Sequence, residues 1–471
     1  MLFSPDKRWV ALILLCLGDL MIILDTTIVN VALPSIKSSL QFTDTSLVWV
    51  VNAYMLTFSG FLLLGGRLGD IYGHRRVFLI GLSIFTLASL ACGIANTQSV
   101  LIVARAVQGL GGAVVSAVAL SIIMNLFVKD DERAKAMGVF GFVAAGGGAI
   151  GVFLGGLLTG AFDWHWIFLV NMPVGVIVFA LCYALLPHSR RENDPGHLDL
   201  GGALTVTFSL MLAVYAIVNG NQIGWLSPWT ISYLTVAVLL FAAFIFVERI
   251  IRGPLVPLEI FRKGNVATIS MVGVLWSAGM FAWFFLSALY MQLVLGYTPM
   301  QVGLSFLPAN VIMAVFSLGL SARIVMRYGT KYPLFIGLML IAIGLLFFAN
   351  APINGDFLMH ILPAMCLLGI GAGLSFNPVL LAGTAGISQE ESGLVSGVLN
   401  TAFMMGGSLG LAILASLASL ETMRVVSLGA SHSVGLLDGY QLAFMVGAII
   451  TVGAALLSLR IREGHTHAPV H

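Results

Sequence analysis

Three ionisable side chains stand inside long apolar runs. Asp19 and Asp25 share one such run, and Arg105 interrupts another. If these runs cross a bilayer, each charge costs at least about 2.5–3.5 kcal/mol on the insertion scale. Residues kept at that cost are functional candidates. Two acids with an arginine suit proton binding. Removing water favours the protonated carboxyl, and an approaching guanidinium favours the ionised one. A conformational change that alters either influence lets one acid load and unload a proton. A cation would compete for the same negative charge, so proton and cation binding would exclude each other. The plainer alternative is a buried ion pair that only joins two helices, and both readings stay open here. Along a helix, Asp25 lies roughly 12 Å from one end of its run, and Arg105 roughly 9 Å in from the same side. They share a level and can meet directly, through Gln108, or through water. Asp19 lies six residues before Asp25, about 120° away around the helix, so it need not face the same side. It is read as a second relay site or as a partner for helix backbone and water.

The elements that must position these residues are membrane spans. Hydrophobic residues make up 59% of the 471 and charged residues 9%, against about 45–50% and about 25% in soluble proteins. A soluble globule cannot hide that much apolar surface, and a bilayer can. The net charge of +2 implies no nucleic-acid or acidic partner. Taking about 20 apolar residues per span, fourteen stretches qualify: 9–33, 47–67, 77–95, 100–124, 136–160, 166–187, 200–218, 229–248, 266–290, 301–322, 332–350, 357–382, 393–417 and 440–459. The longest polar connection is 188–199, and no soluble domain fits. With the N-terminus cytoplasmic, nineteen of the 22 Lys and Arg residues fall in inner loops, and only Lys37 and Arg424 fall outside. That bias follows the positive-inside rule and puts both termini in the cytoplasm. Cys16, Cys92, Cys182 and Cys366 all lie in apolar stretches and read as core residues.

The chain also repeats itself at an offset of 256. Gly66-Arg67-Leu68-Gly69-Asp70-Ile71-Tyr72-Gly73-His74-Arg75 aligns with Ala322-Arg323-Ile324-Val325-Met326-Arg327-Tyr328-Gly329-Thr330-Lys331. The expected fold is therefore an all-α polytopic membrane protein of two pseudo-symmetric six-helix bundles, 1–187 and 263–471, with two inserted spans in 188–262. Parallel halves of this kind mark a transporter whose site lies at their interface.

Four segments carry a more specific resemblance. The loop from Gly66 through Arg67, Gly69, Asp70, Gly73, Arg75 and Arg76 resembles motif A of the major facilitator superfamily. In the 14-helix drug:proton antiporter branch (EmrB/QacA type), three further signatures are similar to segments here. They are Leu24-Asp25-Thr26-Thr27 in the first span, Arg105-Ala106-Val107-Gln108-Gly109 in the fourth, and Asn171-Met172-Pro173-Val174-Gly175 in the sixth. The resemblance implies a major facilitator fold. It also implies proton-coupled efflux of lipophilic, cationic compounds by alternating access across a bacterial cytoplasmic membrane. Asp25 would carry the proton, with Arg105 beside it, and the Gly66–Arg76 loop would act as a conformational switch that latches the two bundles.

Two departures matter. Val152 stands where the family's motif C usually has proline, which weakens an expected kink. Gly147, Gly151 and Gly155, with Gly156, keep the small-xxx-small spacing that suits close helix packing. Phe403 and Met404 stand where relatives often carry Arg-Gln. Candidate cavity residues are Asn52, Tyr54, Gln108, Trp283, Gln292, Asn310 and Asn400, each of which would line a cavity or merely bond between helices. The alternative in the same fold is a proton-coupled exporter or importer of a specific metabolite or lipid. An intramembrane enzyme would need a nucleophile–base pair or metal ligands at membrane depth, and neither is visible. No metal site is expected, His465, His467 and His471 being read as a solvated tail. No cofactor is expected beyond protons, and no Walker loop supports ATP drive. The expected partners are the substrate and the lipid bilayer, with the chain monomeric. The use of an outer-membrane partner is left open, the short outer loops offering no obvious docking surface.

Overall fold

The computed structural model describes residues 5–127, 129–186, 198–251 and 253–462. The polar connection at 188–197 and the three tail histidines lie outside them. Among the described residues every regular element is helical. In chain order these are α1 (Pro5–Leu40), α2 (Val48–Tyr72), α3 (His74–Gly93), α4 (Gln98–Leu126), α5 (Asp130–Ala161), α6 (Trp166–Leu169), α7 (Asn171–Leu185), α8 (Leu200–Ile223) and α9 (Pro228–Ile250). They continue as α10 (Val266–Leu289), α11 (Pro299–Val315), α12 (Ser321–Tyr328), α13 (Lys331–Ala349), α14 (Leu362–Thr384), α15 (Gln389–Ser427) and α16 (His432–Ser458).

Twelve of the described helices are long and apolar enough to cross a membrane. Where the fifth and tenth spans were expected stand α5, Asp130–Ala161, and the shorter apolar helix Pro299–Val315. Pro299–Val315 continues through a π-helical turn, Phe316–Leu320, into α12. The first helix does not stop at residue 33, where the apolar stretch was taken to end. It runs through Pro34 to Leu40, because neighbouring helices can absorb the lost hydrogen bond. Several helices start on a hydroxyl cap. Thr97 accepts from the Val100 amide, Ser227 from Trp229, Ser388 from Glu391 and Ser431 from Val434, which satisfies donors the first turn leaves free.

The repeat seen in sequence has a backbone counterpart. Gly73 and Gly329 both take positive φ, 91° and 75°, a conformation that suits glycine. Each closes its helix by donating to the carbonyl four residues back, Gly69 at 2.9 Å and Val325 at 2.8 Å. Neighbours recur as well. The first-half pairs α1–α5 and α3–α4 are matched by α10–α15 and α13–α14 in the second half.

The halves meet along two seams, α5 on α11 and α2 on α15. Glycines let the helices close in. A Cβ on Gly111 would sit 2.6 Å from the Phe85 amide nitrogen, and one on Gly109 would sit 2.3 Å from the Tyr54 carbonyl, so α4 packs backbone-close on α3 and α2. The inserted helix α8 lies along the second seam. Thr207 packs on Gly60 of α2. Asn221 Nδ2 donates to the Ser416 carbonyl of α15 at 2.8 Å, and Ser416 Oγ donates back to the Ile217 carbonyl at 3.2 Å. Beyond it, α9 exposes Val238, Leu239 and Phe246, as a lipid-facing helix can.

Candidate functional site

Asp25 is fully buried, 0% exposed, and Arg105 is 1% exposed. The two form an ion pair, Arg105 Nη1 donating to Asp25 Oδ2. Gln108, one turn further along α4, donates to Asp25 Oδ1 at 2.7 Å and accepts from Arg105 Nη1 at 2.6 Å. Arg105 Nε is fixed on the Val50 carbonyl at 2.9 Å, and its guanidinium carbon lies 4.4 Å from the centre of the Tyr54 ring. Both acceptor oxygens of Asp25 are therefore engaged, and the guanidinium is held by a carbonyl, an amide and an aromatic face. This arrangement suits a buried charge pair, which is stable only when its remaining hydrogen-bonding positions are filled.

Two further residues complete the shell, and sequence reasoning did not single them out as site residues. Asn171 Nδ2 reaches Asp25 Oδ1 at 3.5 Å, and Ser89 Oγ accepts from Gln108 Nε2 at 2.8 Å. Asn171 lies within the quoted sixth-span signature, which is the signal that could have found it. Ser89 has no such signal, being one hydroxyl in an apolar helix.

Asp19 also turns to α4, accepting from Ser116 Oγ at 2.7 Å. The expected partnership with helix backbone is replaced by this hydroxyl. The glycines of α5 press on the same stretch of α1. A Cβ on Gly147 would lie 2.9 Å from Leu20 and Ile23 side-chain atoms, one on Gly151 2.0 Å from Thr27 Oγ1, and one on Gly155 2.5 Å from the Ile28 carbonyl. Gly156 faces the other way, towards the Pro299 carbonyl and Gly303 of α11. Val152 is buried, with its carbonyl against Gly303. A cavity of about 160 Å³ adjoins Asp25 and Asn171, walled by Leu20, Leu24, Leu154 and Ile167. Drug-sized ligands occupy about 300–1,000 Å³, so this space admits water or a small group rather than a whole drug.

The other candidates scatter. Asn52 Nδ2 donates across the seam to the Ser408 carbonyl at 3.0 Å, while its Oδ1 is buried without a donor. Gln292 Nε2 ties the halves through the Val31 carbonyl at 2.8 Å. Asn310 is turned back on its own helix, to the Phe306 carbonyl at 3.1 Å. Asn400 is exposed. Trp283 is buried with its indole N–H unpartnered, packed on Phe284 and Phe306. The tryptophans flanking His165 do not act alike. Trp166 is exposed as an interfacial residue would be, whereas Trp164 is buried and stacks on His165.

A second aromatic group lies in α10, α14 and α15. Trp276 meets Phe376 and Phe403 edge-on, and Phe403 meets Phe281. A Cβ on Gly407 would touch both Phe281 and Met55 of α2. Phe403, one of the sequence's departures, thus completes an apolar wall beside the seam.

At the end of α2, Asp70 pairs with His74 at 3.2 Å. Arg75 donates to the Tyr183 carbonyl and stacks over the Tyr183 ring at 5.2 Å. Gly69 abuts Val118, and Arg67 and Arg76 are exposed. The contacts described for the Gly66–Arg76 loop lie in its own half. The inter-bundle approach on α2 comes one turn earlier, at Leu63 against Gly397.

The sequence pattern of the Major Facilitator Superfamily matches residues 15–411. The chain belongs to that superfamily. As a major facilitator it is a multi-pass membrane protein, and its family is one of transporters rather than enzymes. It is similar to the puromycin resistance protein pur8 of Streptomyces alboniger, 36% identical over 97% of this chain and 91% of that one. It is also similar to the cephamycin export protein CmcT of Amycolatopsis lactamdurans, 35% identical over 97% and 94%. The fold is shared with a solved bacterial homologue of the human lysosomal transporter Spinster in an inward-facing, occupied conformation. That match has a TM-score of 0.71 at 15% identity and covers 97% of each chain.

Proposed function

We propose that this major facilitator is a drug:proton antiporter of the fourteen-span branch, exporting lipophilic, cationic compounds across a bacterial cytoplasmic membrane with both termini in the cytoplasm. The observation that carries the reading is Asp25, fully buried yet fenced only by neutral amides and one guanidinium. An acid so placed changes its proton affinity when helix movement admits water or withdraws Arg105. The small cavity beside it gives water a place to enter. Relatives named for puromycin resistance and cephamycin export support outward transport of antibiotics. The aromatic wall of Trp276, Phe281, Phe376 and Phe403 would hold a flat or lipophilic solute by area and, where it is cationic, by cation–π attraction.

The cycle needs no cofactor beyond protons and no partner beyond substrate and lipid, and it runs in a single chain. A proton taken from outside neutralises Asp25. The bundles rock, water reaches the acid from inside, and the proton leaves as the cation binds. Asp19, hydrogen-bonded to Ser116 and buried, serves as a second relay towards the cytoplasm. A second reading, export of one specific metabolite in the same fold, is favoured by Val152, which leaves α5 without the family's usual proline.

The test is efflux of a fluorescent cation from vesicles under an imposed pH gradient. Wild type should respond to the gradient, and Asp25→Asn should fold normally and lose the response. Gradient-driven efflux at full rate in Asp25→Asn would sink the coupling role. Retention of every cation tested, with export of a neutral or anionic metabolite, would favour the second reading.

A further inference from the structure

A second pair of buried acids closes the inserted hairpin, remote from Asp25 in the chain and unused by the transport scheme. Asp199 caps α8, its Oδ1 accepting from the Gly202 amide at 2.6 Å. Glu248 lies in the last turn of α9, its Oε2 accepting from the Val256 amide at 3.0 Å. Each carboxyl therefore has one oxygen bound to backbone. The other oxygens, Asp199 Oδ2 and Glu248 Oε1, are buried without any donor, in residues 1% and 4% exposed. Both aim at one spot. A Cβ on Gly202 would stand 2.3 Å from the first and 2.8 Å from the second. Glycine at 202 thus leaves the gap in which the two carboxyls face each other.

Among the described residues, no positive charge pairs with either acid. Leu64 of α2, Ala203, and Leu255 form the core there, with Leu198 and Val256 packed against it. Among the described residues, the charged side chains at this end on neighbouring elements are Arg67 and Asp70 of α2, Arg249 of α9, Glu259, Arg262 and Lys263 of the following turn, and Glu391 of α15. Arg67, Arg249 and Glu259 are exposed, Asp70 pairs with His74 and Lys263 pairs with Glu391. No ion pair among the described residues reaches Asp199 or Glu248.

Two ionised carboxylates face to face in such a place repel strongly, and one proton converts that repulsion into a short charge-assisted hydrogen bond. A metal ion fits poorly. Hard cations take six or more oxygens, and only two are uncommitted here. Among the described residues there is also no group of three metal-ligating acids, histidines or cysteines. We infer that Asp199 and Glu248 bind one proton between Oδ2 and Oε1, making a proton site on the inserted hairpin distinct from Asp25. The proton comes from water and returns to it, forming and breaking one O–H bond. Its position has a consequence for the fold. Glu248 holds the Val256 amide, and Leu255 and Val256 pack on Leu64 just before the Gly66–Arg76 loop. The bound proton keeps the connection between the two halves seated on α2, and its loss puts a second charge against that contact. None of this depends on the export reading.

The experiment uses full-length protein in lipid nanodiscs, as wild type, Asp199→Asn and Glu248→Gln. Either amide donates to the remaining carboxylate, so each variant keeps the contact without the proton, and asparagine caps a helix as well as aspartate. Infrared spectra near neutral pH should show a carboxylic-acid C=O band in wild type that is lost in both variants. The sign of the pH effect follows. Stability contributed by the bound proton is present at low pH and lost as pH rises. Between about pH 5 and about pH 9, above ordinary carboxyl titration, the wild-type melting temperature should therefore fall while that of Glu248→Gln stays flatter. An unchanged band in both variants, or the same pH slope in wild type and Glu248→Gln, would overturn the inference. So would a melting temperature raised by sodium in place of choline at fixed pH, which would mean a cation rather than a proton.

Discussion

Asp25 and Arg105 hold each other in a shell that engages both carboxylate oxygens, and that shell decides what single substitutions do. Removing Arg105 leaves a buried carboxylate with Gln108 and Asn171 alone, so Arg105→Ala should destabilise the protein by about 3–5 kcal/mol. Asp25→Asn keeps a hydrogen-bonding group facing Gln108 but leaves the Arg105 charge without its counter-charge. That guanidinium is still held by the Val50 carbonyl and the Tyr54 ring, so the substitution should cost less than Arg105→Ala without being neutral. Thermal unfolding in detergent compares the two directly, and equal losses would contradict the arrangement. Tyr54 gives a finer test. Its hydroxyl has no partner, while its ring lies under the guanidinium. Tyr54→Phe should therefore melt like wild type and Tyr54→Leu should melt lower, by about 0.5–2 kcal/mol. The pairing itself was legible in sequence, because three charges in apolar runs are conspicuous and helical rise puts two of them at one level. Asn171 was half-legible and Ser89 was not, since one small polar residue in a span looks the same whether it serves a site or its own helix. Asp199 and Glu248 were missed for another reason. They sit at helix ends, where a charge is ordinary, and only the folded chain shows them buried.

At the scale of elements, α5 is a wedge between the coupling helix and the other half. Its glycine spacing was readable, but the neighbours on each face were not, because small residues do not announce which helix approaches them. The structure sorts them. Gly151 meets Thr27 and Leu24 of α1, Gly156 meets α11, and a Cβ on Gly148 would come no closer than 4.0 Å to anything. Gly151→Ala should then push α1 aside next to Asp25, lowering both transport rate and melting temperature, with a cost of about 1–3 kcal/mol from overpacking. Gly148→Ala, three residues away, should be close to neutral. Parallel vesicle efflux and melting curves check both. Similar defects in the two variants would mean that general helix propensity, rather than the α1–α5 contact, sets the effect. The family's proline is absent at Val152, yet α5 still packs tightly on both sides, so close approach here comes from glycine alone.

For the whole molecule, the fourteen-stretch pattern and the 256-residue repeat anticipated two matched halves with an insert, but not where the insert would lie. Lateral placement of a lipid-facing hairpin is not written in hydropathy, since lipid and a neighbouring helix are about equally apolar. The structure lays α8 along the seam, tight on α2 at Gly60 and hydrogen-bonded to α15 at Ser416. A rocking cycle must part α2 from α15 somewhere, and α8 can follow only one of them closely. The close fit of Thr207 on Gly60, where a Cβ would stand 3.0 Å from the Thr207 Cβ, assigns it to α2. Two cysteine pairs separate the possibilities. Leu63→Cys with Gly397→Cys spans the seam, where the Leu63 Cγ lies 3.9 Å from a Gly397 Cβ. Gly60→Cys with Thr207→Cys stays within the assigned unit, and both pairs are near disulfide reach. Oxidation should stop efflux in the seam pair and a reductant should restore it, while the Gly60/Thr207 pair should transport in either state. Transport through an oxidised seam pair would show that the α2–α15 contact does not open during the cycle. Arrest by the Gly60/Thr207 bridge would instead show that the inserted hairpin slides on α2 as the halves move.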